Sequence, residues 1–192
     1  MKLLQCIIFT RLKDLMLFVI LSTACALNSG CSSLSFFAQE PFEITYSSPD
    51  RISFQGKGAG AGIALMSTMG PVGIALGVAI DEGIAKDIRN TAKAGSVDFK
   101  SLFSEAVSNI DVLKDADRID VKKYGFVIKD GSKDYVAAEV RIVMHNGDVS
   151  EELVLSSWKK QKMLDAWVTL EDIKKNSESI EKLFSYALIN HK

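Results

Sequence analysis

The chain has 192 residues, 23 of them basic and 24 acidic, so it lacks the excess of lysine and arginine that neutralising nucleic-acid phosphates requires. Its three cysteines, Cys6, Cys25 and Cys31, all lie in the first 31 residues, which excludes an intrachain disulfide from the remainder. Whatever folds beyond them must be held by burial.

The first 30 residues read as a targeting segment. Lys2, Arg11 and Lys13 face a single acid, Asp14, and residues 15–27, LMLFVILSTACAL, carry no charge. That run is short of the roughly 20 residues a membrane span needs, and it suits a secretory leader. Small residues, Ser29 and Gly30, then precede Cys31. This junction resembles the lipobox of bacterial lipoproteins, where the leader is cut before a diacylated cysteine. Asn28 stands where that motif usually carries an aliphatic residue, and Cys25 after Ser22-Thr23-Ala24 is the competing site. The resemblance implies a signal peptide at 1–30 and an acyl anchor (palmitate among its chains) on Cys31. With Ser32 next, it also implies a periplasm-facing position on the bacterial outer membrane. Removal of the first 30 of the 192 residues leaves 162, with 20 basic and 23 acidic side chains.

Residues 31–57 read as an anchor-proximal linker with two short strand-like segments, FEITYSS and RISFQG, split by Pro49-Asp50. Residues 58–80, GAGAGIALMSTMGPVGIALGVAI, then run without a charge between Lys57 and the pair Asp81-Glu82. Gly58 and Gly62 form one GxxxG pair, Gly73 and Gly77 a second, and Ala75 and Ala79 repeat the spacing. On a helix these small residues share a face that permits close backbone approach, as in packed membrane helices. The segment is therefore expected to be helical and to use that face for membrane contact or self-association; the break at Gly70-Pro71 makes two short helices, or a hairpin dipping into the membrane, as plausible as one straight span. Two other readings stay open. The segment could be buried core, or Gly56, Gly58, Ala61 and Asp81 could form a dinucleotide fingerprint, although no repeated βαβ units follow.

Residues 81–192 read as an α+β domain. Ile80, Ile84, Ile88 and Ala92 recur every four residues up to Gly95, and Phe99, Leu102, Phe103, Ala106 and Ile110 form a second helical stripe that Asp98 could cap. Strand-like runs end at Asp130-Gly131 and Asn146-Gly147, the latter predicting a type I′ hairpin turn. Ile180, Leu183, Phe184, Ala187 and Leu188 mark a last helix starting at Asn176 or Ser177. The expected architecture is a small antiparallel three-stranded meander with flanking amphipathic helices on one face, preceded by the glycine-rich segment. Residues 98–192 are expected to carry their own core.

Catalytic motifs are sparse. His145 and His191 read as surface residues, and no nucleophile elbow, P-loop or HExxH pattern occurs. The acidic pairs Asp115/Asp117, Glu151/Glu152 and Glu171/Asp172 read as solvated faces, and Trp158 and Trp167 as core or rim anchors. The expectation is a non-enzymatic envelope lipoprotein without cofactor or metal, held in the membrane by Cys31. Gly58, Gly62, Gly73 and Gly77 would contact membrane or a second copy, and the domain would meet an envelope protein rather than nucleic acid. The alternative is a periplasmic ligand-binding or enzymatic domain whose site assembles from scattered residues.

Overall fold

The structure, a computed structural model, describes residues 43–48, 51–131 and 133–189. The leader, Cys25, Cys31 and His191 lie outside the described residues, which all belong to one compact unit. The elements run β1 (Glu43–Tyr46), β2 (Ser53–Gln55), α1 (Lys57–Met69), α2 (Pro71–Ala94), α3 (Phe99–Val107), a 3-10 turn (Asp111–Leu113), β3 (Arg118–Asp130), β4 (Tyr135–Asn146), β5 (Val149–Ser156), α4 (Trp158–Leu164), α5 (Leu170–Lys175) and α6 (Ser177–Leu188).

The class is α+β, but the sheet is larger than a three-stranded meander. β3, β4 and β5 do pair antiparallel in chain order. To them β1 and β2 add on the remaining edge of β3, both parallel to it, making five strands. β1 covers Arg118 to Val121 and β2 covers Gly125 to Val127, so the two are halves of one interrupted edge strand. Gly125 makes the second half possible. A Cβ there would lie 2.0 Å from the Ser53 carbonyl oxygen, and Ser53 Oγ donates to the Tyr124 carbonyl at 3.0 Å.

One face of the sheet is core. Along β3 the buried residues change parity, from Ile119 and Val121 to Tyr124 and Phe126. An irregularity between Val121 and Lys123 supplies the extra residue that keeps both sets pointing inward. Val136, Ala138, Val140 and Ile142 of β4 continue that face. Phe184 of α6 packs among Phe99, Tyr124 and Phe126, and Phe99 stacks on Tyr124 with centroids 3.9 Å apart.

The helix starts follow local chemistry. Asp98 accepts from the Lys100 N–H, and Asn176 from the Glu178 N–H. α2 ends at Gly95 as its spacing predicts. Its second half brings Ala85, Ile88 and Ala92 into the same hydrophobic cluster as Phe103, Phe126 and Phe184. Ile52 and Phe54, from and beside β2, join that cluster too. The core is therefore not confined to residues 98–192, and the division placed after residue 57 does not separate the short strands from the domain.

Two local expectations are corrected. The β4–β5 turn has Gly147 and Asp148 as its central pair, since Asn146 still pairs with Val149. Only Gly147 of these two has positive φ, 56°, which is the type II′ rather than the type I′ pattern. Two short helices, α4 and α5, also follow β5 where none was expected. Buried Ser157 and Gln161 hold α4 down: Ala138 N–H donates to Ser157 Oγ at 2.9 Å, and Gln161 Nε2 donates to the Val136 carbonyl at 3.0 Å. Beside them Tyr135 stacks on Trp167, and Trp158 packs tilted against the same indole, each pair with centroids 5.1 Å apart.

Candidate functional site

The glycine-rich segment is a helical hairpin, α1 turning into the first part of α2. Among residues 57–80 only four are buried, and they are Gly58, Gly62, Gly73 and Gly77. The four lie against one another across the α1–α2 seam. A Cβ on Gly58 would lie 1.8 Å from the Gly77 carbonyl oxygen, one on Gly77 2.3 Å from the Gly58 oxygen, and one on Gly73 2.6 Å from Leu65 and Met66 backbone atoms. Gly62 is closely approached as well, 3.3 Å from the Gly73 oxygen by the same measure. The small-residue face is thus occupied within the chain. What it leaves outward is large and apolar: Ile63 (72% exposed), Met66, Met69, Val72, Ile74, Leu76 and Val78 (65%).

Charge returns at the base of this arm. Asp81 reaches from α2 to the start of α1, where Oδ1 accepts the Gly58 N–H at 2.6 Å and Oδ2 the Gly56 N–H at 3.2 Å. A carboxylate there compensates free helix-end donors and the dipole. It also occupies the place a dinucleotide phosphate would need, and α1 leads into another helix rather than a parallel strand, so the fingerprint reading fails. Lys57 pairs with Asp134 at 2.5 Å, and Glu82 bridges Arg51 and Arg89. On one side of the hairpin seam is an apolar recess of about 570 Å³, bordered by Ile63, Met66, Ile74, Val78 and, at the base, Val127.

A second cluster sits on the other sheet face, near the β4–β5 turn. Ser150 Oγ lies 2.8 Å from His145 Nδ1, and His145 Nε2 lies 3.0 Å from Asp120 Oδ2 and 3.2 Å from Arg118 Nη2. Asp120 also accepts from Thr45 Oγ1 at 2.5 Å and Lys122 Nζ at 3.1 Å. The Thr45 hydrogen bond, ahead of those from His145 and Lys122, holds the Asp120 carboxyl well below the usual carboxylate range despite its burial. Sequence reading took His145 for a surface residue. The cluster comes from β1, β3, β4 and β5, so no local spacing announces it.

Because the folded pKa of Asp120 is depressed, its stabilisation is complete above the unfolded carboxylate pKa of about 4 and is lost as pH falls through the lower folded value. Asp120→Asn is therefore expected to be less stable than the parent at neutral pH and to lose stability more gradually below about pH 4. Chemical denaturation across that acid range checks this; parallel pH profiles would reject it.

At least one member of each acidic pair is engaged elsewhere. Asp117 accepts the Gly147 N–H, Glu152 pairs with Arg141, and Asp172 completes a capping box with Thr169. No group of three or more His, Cys, Asp or Glu that could hold a metal occurs among the described residues.

No family model matches this chain, and no curated protein or solved structure does either.

Proposed function

We propose that this protein is a non-enzymatic cell-envelope lipoprotein of the outer membrane, anchored at Cys31, whose folded domain mounts the glycine hairpin as a contact arm toward membrane or a partner. The observation that supports the reading is the arm's inside-out burial: its glycines face inward and its large apolar side chains face out. Contiguous apolar surface of this kind on a folded protein marks a contact. The sheet domain, with its charged base beneath the arm, supplies the rigid support.

Two measurements test the reading. Metabolic labelling with a fatty-acid analogue should disappear in Cys31→Ser and persist in Cys25→Ser; the reverse pattern would move the anchor to residue 25. For the arm, single cysteines serve as reporters, because the sequence beyond Cys31 has none of its own. In intact envelopes, Met66→Cys should be shielded from a water-soluble maleimide while exposed Lys86→Cys reacts. Equal labelling of both would mean the arm contacts nothing, and the reading would fall.

The Ser150–His145–Asp120 series favours one alternative, a periplasmic hydrolytic or ligand-binding domain. Its hydroxyl, imidazole and carboxylate follow in hydrogen-bonding order, and ester hydrolysis abolished by Ser150→Ala would establish it.

A further inference from the structure

We infer that the arm is a wedge for one leaflet of a lipid bilayer, entering from its Met69–Pro71 tip with acyl chains covering its outward faces. The inference rests on reading the arm as a contact element, and it names the partner.

Exposure is all round. Ile63 and Met66 of α1 and Val72, Ile74, Leu76 and Val78 of α2 are all open, and nothing but the glycine seam is buried. A second copy docked on one side would leave the other side bare, whereas a bilayer covers every side at once. The polar groups fit that solvent. Hydrocarbon demands that backbone and hydroxyl groups be satisfied internally. Ser67 Oγ donates to the Ala64 carbonyl at 2.8 Å, and Thr68 Oγ1 to the Leu65 carbonyl at 3.1 Å. The helices are joined by Gly70 alone, whose N–H donates to the Met66 carbonyl at 2.9 Å, while its own carbonyl accepts the Gly73 N–H at 3.0 Å. Of the two residues between, Pro71 has no N–H to leave unpaired.

Length sets the depth. α1 has 13 residues, so the arm reaches about 20 Å, beyond the roughly 15 Å of one hydrocarbon leaflet but short of the roughly 30 Å core. No helix among the described residues is long and apolar enough to cross a membrane. The charges of Lys57, Asp81, Glu82, Arg51 and Arg89 gather at the base, where headgroups would lie. The recess beside the glycine seam is apolar and open to an acyl chain.

The test uses the non-acylated Cys31→Ser protein, secreted behind a conventional cleavable leader, with an environment-sensitive dye on Met66→Cys or Lys86→Cys. On adding vesicles of phosphatidylethanolamine and phosphatidylglycerol, the Met66 dye should shift to the blue and be quenched by brominated acyl chains, and the Lys86 dye should not. Ile63→Asp with Ile74→Asp places carboxylates on exposed arm positions without touching the glycine seam; vesicle binding should fall by at least about tenfold. A Met66 dye that stays in water with vesicles present overturns the inference. If that dye is shielded before vesicles are added, and sedimentation gives a dimer or larger, the occupant is a second copy: the bilayer inference fails while the contact reading stands. Shielding in envelopes without vesicle insertion does the same for a partner protein.

Discussion

Gly77→Ala is expected to detach α1 from α2 while the sheet domain stays folded. The new methyl would stand 2.3 Å from the Gly58 carbonyl oxygen and 2.9 Å from the Gly62 Cα, both backbone atoms that no side-chain rotation can move. Overpacking of this kind costs about 1–3 kcal/mol, and here it falls on the seam that gives α1 its only buried residues. A released helix of 13 residues is marginal in water, so α1 should fray once its partner is pushed away. Hydrogen exchange in peptides covering residues 58–69 should accelerate about tenfold or more, while peptides of β3 and β4 keep their protection. Gly60→Ala is the contrasting variant. A Cβ at Gly60 meets nothing within 4 Å, so only the helix-propensity gain of about 1 kcal/mol remains, and exchange in the same peptides should slow. Equal responses to the two substitutions would show that the seam is not what holds the arm together.

The four seam glycines were legible because their signal is local: two GxxxG pairs in an uncharged run fall on one helical face whatever that face meets. Their partner was not. Gly70-Pro71 was read as a break that could give two helices or a hairpin, but only the fold shows that each pair packs on the other rather than on membrane or a second copy. Caps at Asp98 and Asn176 were equally local and equally readable. The parallel edge was hidden for the opposite reason. Ile44 pairs with Ile119 and Phe54 with Phe126, each more than 70 positions away, and segments of four and three residues carry too little alternation to state a partner. α4 was masked by chemistry: its buried anchors are Ser157 and Gln161, polar residues that hydropathy patterns place outside. The Asp120–His145–Ser150 cluster combines both difficulties, polar residues brought together by long-range pairing.

That long-range pairing has a direct cost for any shorter piece of the chain, and residues 96–192 alone are expected not to fold cooperatively. The fragment keeps β3, β4, β5 and α6 but loses Ile52, Phe54 and Ile88, of which the last is fully buried. Each such side chain contributes about 1.5–3 kcal/mol on burial, so the three together approach the whole 5–15 kcal/mol by which a domain is ordinarily stable. The fragment also bares the edge of β3 that β1 and β2 cover, and it removes the Thr91 hydroxyl that donates to the Lys174 carbonyl at 2.5 Å and ties α2 to α5. Purified residues 96–192 should therefore bind hydrophobic dyes and melt without a sharp transition. Replacing residues 58–80 with a short glycine-serine link in the otherwise complete chain should do far less harm. The ends to be joined are already adjacent, with Asp81 Oδ2 accepting the Gly56 N–H at 3.2 Å, and the excised arm gives the core no side chain. A cooperative transition with native near-ultraviolet circular dichroism from residues 96–192 would show that β2 and α2 only decorate a self-sufficient core; loss of folding on excising the arm would show that the arm belongs to that core.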